Sequence, residues 1–403
     1  MADDRFPGCH GTTILAPARR QAADLARRAL HHRLPDAYLP VARDHHPPAA
    51  PDRENGGAMP AGEPVVSHRK PPSLGVQIGA GVPFRNRVAG ASLGGMAATI
   101  LHIYLEDPML ADARAGRFNF LNVLSRAVRD AGWSVEFAPT GPAARAAAPS
   151  RDGYALFHME QPTHDRALTF RRAYHYPFWS IEPVAERWRF SVARSRFDPG
   201  TVDPQRAATF AARLRDRVLP GPAPRRGDTV LVPLQGHIRR CRSFQTMSPV
   251  EMLDRVCDTG RPVAATLHPR EPLDDADRAA LDAIAARHPN LTVGGDTAAI
   301  LRDCAFVATQ NSAVALDGYL LGKPAVLFAQ IDFHHIALNV ADMGAERALA
   351  AAPTHVPDFD AYLFWFLHRR AINATAPDAG ARILAAMRKG GWPIRPPPQF
   401  PTA

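Results

Sequence analysis

From Ala98 onward the apolar positions alternate between two kinds of run. Ala98-Thr99-Ile100-Leu101-His102-Ile103-Tyr104-Leu105 is a nearly continuous apolar run, and Phe118–Gly132 then spaces Phe120, Leu121, Leu124 and Val128 along one helical face. Ser134–Ala138 and Tyr154–His158 read as further strands, which makes half of a doubly wound unit. The stretch Arg171–Phe197 is aromatic-rich and reads as irregular, and Ala207–Val218 is an arginine-studded amphipathic helix. Leu219-Pro220-Gly221-Pro222-Ala223-Pro224 cannot continue a helix and predicts an interdomain linker.

A second, more regular series follows. Strands are predicted at Thr229–Leu234, Val263–Leu267, Leu291–Val293, Ala305–Ala308 and Ala325–Phe328. Helices are predicted at Asp274–Ala286, Thr297–Asp303 and Ser312–Leu321, and another begins at Ser248-Pro249-Val250-Glu251. There Ser248 can cap, Pro249 suits the first turn and Glu251 completes a capping box. Strands alternating with helices imply parallel pairing with right-handed crossovers. An apolar helix at Phe359–His368 and another at Ala379–Arg388 precede a Pro-rich end. The predicted fold class is therefore α/β, with two Rossmann-like domains; the resemblance described below implies that they face one another across a cleft. The expected boundaries are 96–219 for the first domain, 225–345 for the second and 346–403 for C-terminal helices and tail.

Residues 1–95 differ from the rest, being rich in Pro, Arg, His and Gly, and only Ala22–His31 has helical spacing. Such a segment buries too little apolar surface to offset chain entropy, so a disordered extension is expected. Met96 directly precedes the first strand, which suggests an upstream extension or a misassigned start. Intact mass of the native protein tests that expectation.

Composition narrows the function classes. The net charge of +9 is carried almost wholly by arginine, lysine occurring only at Lys70, Lys323 and Lys389. The arginines form no long basic block with interleaved aromatics, so nucleic acid is not the expected partner. Cys9, Cys241, Cys257 and Cys304 are widely spaced, which argues against a disulfide framework and a structural zinc site. No apolar run approaches the roughly 20 residues of a membrane helix, and a cytoplasmic location, including the inner face of the inner membrane, is expected.

Polar clusters follow two of the second-series strands, where open α/β sheets hold ligands. One is His268-Pro269-Arg270-Glu271 and the other is Asn311-Ser312. A helix N-terminus after Asn311-Ser312 suits a phosphate, and an ordinary N-cap explains the same residues. His268 is placed to donate to a phosphate or nucleotide, although a histidine after a strand also serves structure. Gln235-Gly236-His237-Ile238-Arg239-Arg240-Cys241-Arg242-Ser243 brings arginines to another strand end, where their forks could grip a diphosphate or carboxylate. Asp332-Phe333-His334-His335 lacks a third metal ligand at suitable spacing, so it reads as cleft lining and no metal is expected.

The histidine-proline pair, the serine motif and the Gly322-Lys323-Pro324 turn resemble the nucleotide-binding half of GT-B glycosyltransferases. The resemblance is especially to bacterial capsule-type Kdo transferases, and more distantly to sialyltransferases. It covers roughly residues 229–328, and Val232-Pro233-Leu234-Gln235 at its start is similar to the capsule-type group. In that family the two motifs hold the CMP part of the donor, which here implies donor contacts from His268, Pro269, Asn311 and Ser312; Arg270, Gln235, Arg239 and Arg240, on the neighbouring loops, are donor-contact candidates by their own chemistry. This chain has Asn-Ser where relatives have paired Ser or Ser-Thr, which leaves the nucleotide open; Asp317 stands near an acidic position of the following helix.

The resemblance implies transfer of a sugar, Kdo or a related acidic one, from a nucleotide sugar to a glycan or glycolipid acceptor of a surface polysaccharide. It implies no cofactor, and it admits a peripheral membrane or polysaccharide-assembly complex. Inverting transfer needs a general base on the facing domain. Glu106-Asp107, His158-Met159-Glu160 and His164-Asp165 follow first-series strands, and Glu160 and Asp107 are the leading choices. Tyr176 and Trp179, with Tyr174 and Trp188 beside them, are candidates for stacking on acceptor sugars. A non-catalytic binding protein on a degenerate scaffold and a sugar-nucleotide epimerase remain alternatives.

Overall fold

The computed structural model describes residues 99–268 and 270–395. The expectations for residues 1–95, for helix Ala22–His31, for Cys9, for Pro269 and for the Pro-rich end lie outside the described residues.

Two mixed α/β layers are present, each built on a six-stranded sheet. The first contains β1 (Ile100–Leu105), β2 (Ser134–Pro139), β3 (Tyr154–His158), β4 (Ala167–Arg172) and β5 (Phe178–Glu182). The second contains β6 (Val230–Pro233), β7 (Val263–Thr266), β8 (Leu291–Val293), β9 (Phe306–Thr309), β10 (Ala325–Leu327) and β11 (Leu338–Asn339). A last strand, β12 (Ile372–Asn373), returns to the first sheet and pairs antiparallel with β5.

Strand order decides where ligands can sit. In the second sheet it is β11-β10-β9-β6-β7-β8, so the chain adds strands on one side of β6 and then on the other. All its pairings are parallel, and the direction of winding reverses between β6 and β9. In the first sheet the order is β12-β5-β4-β3-β1-β2, and the reversal falls between β1 and β3. Crevices outside the carboxyl ends of strands at such reversals are where open α/β sheets take ligands.

Local signals account for much of this. The capping box at Ser248 is complete: Ser248 Oγ accepts from Glu251 N, and the Glu251 carboxylate accepts from Ser248 N. The core strands β6 and β9 are buried along their whole length, as continuous apolar runs between covering helices should be.

Three expectations change. The region expected to be irregular, Arg171–Phe197, holds the end of β4 and the whole of β5, an antiparallel pair joined by the turn 173–177. Its alternation was masked because β4 ends on Arg171 and Arg172 and the turn is aromatic. The C-terminal segment is no separate appendage: Ile372, Ile383, Leu384, Met387 and Trp392 share a core with Leu121, Leu124 and Val128 of helix Asn119–Asp130. The apolar helix near residue 360 is α-helical only over Phe359–Leu363 and continues as a π-helix over Phe364–Arg370.

The linker is also less free than its composition suggests. Arg302 donates to the carbonyls of Leu219, Pro220 and Pro222. Lys323, 3% exposed, donates to Cys304 O at 2.7 Å and to Arg225 O. A common core joins the two sheets, with Ala173, Phe178 and Phe190 packed in one cluster with Leu316, Tyr319, Phe333 and Trp365.

Candidate functional site

At the reversal of the second sheet, Thr309 Oγ1 at the end of β9 donates to Pro233 O at the end of β6, 3.2 Å away. The loops that leave these strands carry two glutamines. Gln310 is 3% exposed, and its Nε2 donates to Met247 O at 3.1 Å, which fixes the amide orientation. Its Oε1 is therefore an acceptor, and it is buried without a partner, as is Gln235 Oε1. Buried acceptors of this kind are costly unless something donates to them.

The histidine-proline loop lies on the adjacent strand end. His268 Nδ1 accepts from Arg270 N at 3.3 Å, which leaves Nε2 as the ring's donor. Glu271 of the same loop reaches back and accepts from Gly236 N. A Cβ at Gly236 would lie 2.8 Å from the Glu271 carboxylate, which would then have to shift.

Asn311 and Ser312 are partly exposed after β9. The helix expected to begin at Ser312 begins at Val314 and runs only to Leu320, because Ser312 Oγ accepts from Val314 N at 3.3 Å and Ala313 occupies the cap. The cap itself, Ala313, makes no side-chain hydrogen bond, so Ser312 only tethers the turn before the helix, and the helix is too short to supply much dipole.

The arginine loop divides. Arg239, expected to grip a ligand, is held by its own domain, with Nε 2.9 Å from Asp277 Oδ1 and a terminal nitrogen 3.2 Å from Asp274 Oδ2. Helix Asp275–Arg287 presents acidic groups at its start, and they neutralise this arginine. Arg240 and Arg270 are exposed.

At the reversal of the first sheet, His158 Nδ1 lies 3.1 Å from Glu106 Oε2. Glu106 follows β1, and His158 ends β3 with 3% exposure. Burial raises the Glu106 pKa, but the hydrogen bond and charge of His158 outweigh it and hold the carboxyl below its ordinary value. Asp107, the residue chosen from sequence, enters the first turn of helix Asp107–Arg114 and is exposed. Its neighbour Glu106 is the carboxylate that meets the histidine. Glu160 accepts from Thr140 Oγ1 at 2.5 Å and lies 3.2 Å from an Arg145 guanidinium nitrogen, so its charge is compensated. His164 and Asp165 line an open groove of about 440 Å³ with Gln161, Thr163 and Pro183.

Residues after β4 join the sheets. His175 Nε2 lies 2.9 Å from Asp317 Oδ1, and the Tyr174 hydroxyl donates to Asp332 Oδ1. Trp188 stacks on Phe244 with centroids 4.8 Å apart. Tyr174 and His175 leave the carboxyl end of β4, while Asp317 and Asp332 follow β9 and β10. These contacts bring the carboxyl edges of the two sheets towards one another.

Two aromatic expectations separate here. Tyr176 is 40% exposed, whereas Trp179 is 2% exposed and stacked on Phe120 at 4.6 Å. Both faces of Trp179 belong to the core, with Phe118, Phe170 and Arg172 also against it, and none is left for a sugar. His334 and His335 stack at 4.3 Å within a single 3₁₀ turn. His335 accepts from the Tyr362 hydroxyl and donates to Ser195 O, both at 3.0 Å. Among the described residues no group of His, Cys, Asp and Glu is arranged to hold a metal, and no helix is long and apolar enough to cross a membrane.

No protein-family model matches the chain, and no curated protein matches it in sequence. Among solved structures it is similar to Thermosulfurimonas dismutans KpsC, beta Kdo 2,7 transferase, at 12% identity over 72% of this chain and 99% of that one, with a TM-score of 0.42. It is also similar to Methanocaldococcus jannaschii UDP-GlcNAc 2-epimerase in complex with UDP-GlcNAc and UDP, at 8% identity over 72% and 100%, TM-score 0.31. The wall teichoic acid polymerase TagF is a further likeness, at 11% identity over 72% and 88%, TM-score 0.26. These are likenesses of fold alone.

Proposed function

We propose that this chain is a glycosyltransferase that moves a sugar from a nucleotide-activated donor to a glycan or glycolipid acceptor. The observation that carries the reading is Gln310 Oε1, a buried acceptor without a partner at the reversal of one sheet, whose carboxyl edge is joined to that of the sheet bearing the Glu106–His158 pair. The amino group of a base or a ribose hydroxyl supplies the donor that Gln310 and Gln235 lack. His268 and Asn311 are assigned to the phosphates, with Ser312 shaping the turn. CMP as the nucleotide and an acidic sugar as the cargo are the finer form of the proposal, resting on the motif resemblance.

In the transfer, an acceptor hydroxyl oxygen attacks the anomeric carbon of the donor. The bond from that carbon to the phosphate oxygen breaks, and the electron pair leaves with the nucleotide. Glu106 takes the hydroxyl proton, with His158 orienting its carboxylate and stabilising its charge before the reaction. General-base assistance of this kind contributes on the order of 10²–10⁴-fold.

Calorimetry of the full chain with CMP, UDP and GDP tests the donor half. Binding of one nucleotide, lost in Gln310→Ala, is expected; no binding of any of the three would sink the proposal. Release of a free, altered sugar nucleotide without any acceptor would also overturn transfer, in favour of epimerisation.

A further inference from the structure

Arg171 and Arg187 stand apart from the other arginines at the seam. Arg171 is the penultimate residue of β4, on the strand face opposite Phe170, and its Nε is buried with no hydrogen-bond partner. Arg187 opens the 3₁₀ turn Arg187–Arg189 and lies over the Tyr174 ring, its guanidinium carbon 4.4 Å from the centroid. The nearby carboxylate, Asp332, is 4% exposed and accepts from the Tyr174 hydroxyl. Tyr174 holds this position with a left-handed backbone, φ 67°.

Both guanidinium groups act electrostatically on Asp332 without forming an ion pair with it, and its Oδ1 is taken by Tyr174. The Arg171 Nε is shut off from water, while the side chain as a whole, like that of Arg187, is partly exposed. A crowded cation without a matched acceptor is costly, so its retention calls for an anion that arrives from outside. Burial, and then the charge of Arg187, lower the Arg171 pKa to about 9, and Asp332 and Tyr174 offset this only in part.

We propose that Arg171 and Arg187 form an oxyanion-binding site at the seam, taking a carboxylate or phosphate group of the substrate. The assignment rests on the cleft being a substrate site, as argued above. Guanidinium forks bind such groups bidentately, and two forks from one domain, beside an aspartate of the other, report on whether the cleft is filled.

The test uses the full chain with inorganic phosphate and with glucuronate, and glucose as the neutral control, read by calorimetry and by ligand-induced change in Tm. Wild type should bind at least one anion and not glucose. Arg171→Met and Arg187→Met should each weaken that binding by about tenfold or more, with Arg187→Lys in between because it keeps charge and loses the fork. Preference for phosphate or for glucuronate identifies which source supplies the group. A purely structural role predicts that Arg171→Met lowers Tm without ligand; a binding role predicts an unchanged or raised Tm, since an uncompensated charge has been removed. Should Arg171→Met fail to fold, the two Arg187 variants carry the test. Absence of anion binding in wild type, or equal binding in all variants, would overturn the site. Nucleotide binding retained by Arg187→Met beside such a result would sink this site alone, whereas arginine-dependent anion binding without nucleotide binding would sink the donor proposal alone.

Discussion

His158 Nδ1 and Glu106 Oε2 lie 3.1 Å apart across the reversal of the first sheet, one residue ending β3 and the other following β1. The carboxylate is partly exposed while the histidine is buried, so the pair presents oxygen to the crevice and keeps the ring behind it.

If Glu106 is the base and His158 positions it, Glu106→Gln should lower kcat by about 10²–10⁴-fold with little change in nucleotide affinity. His158→Asn should lower kcat less and move the acidic limb of the rate profile upward, because the influence that depresses the Glu106 pKa is gone. Asp107→Asn should leave the rate near wild type. Equal losses from Asp107→Asn and Glu106→Gln would refute the assignment.

The same pair affects stability. A carboxyl whose pKa is lower folded than unfolded contributes stability that is present above its unfolded value, near 4.5, and lost as pH falls through the folded value. Wild type should therefore exceed Glu106→Gln in stability at neutral pH by an amount that disappears on acidification below that window. Denaturant unfolding at a series of pH values measures it.

His335 predicts a second acid transition at a slightly higher window. Burial, then the adjacent His334, pushes its pKa from 6.5 down to about 4, so the folded protein keeps the ring neutral while the unfolded chain protonates it. Stability from this group is full above 6.5 and falls as pH drops towards about 4. His335→Asn should flatten that part of the stability curve, and an unchanged slope would count against a neutral, buried ring.

Trp179 and Tyr176 should behave oppositely. Trp179→Ala should cost about 3–5 kcal/mol, as large-to-small changes of buried aromatics do. Tyr176→Ala, at an exposed site, should change stability by about 0.5 kcal/mol or less, so any effect on acceptor KM would be specific. Chemical denaturation of both variants, with acceptor kinetics of the second, decides the matter.

Lys323 was legible as part of a Gly-Lys-Pro turn, yet its ammonium group points inward to Cys304 O and Arg225 O. Lys323→Met should destabilise by about 1–3 kcal/mol through the carbonyls left unpaired. Nucleotide affinity should change little, and a selective loss of affinity would show that the lysine serves the ligand.

The sequence by itself determined the alternation of buried strands and helices, the capping box at Ser248 and the placement of His268 and Asn311 after strands. Each follows from a period or a spacing within a few residues, which local geometry enforces. Tertiary structure alone decided that Glu106 and not Asp107 meets His158, that Arg239 is neutralised by Asp274 and Asp277, and that Trp179 is core. It also decided that Ile372 and Trp392 return to the first sheet, and that Tyr174 reaches Asp332. These partners are far apart in the chain, and strand order and side-chain packing, which no local period encodes, bring them together.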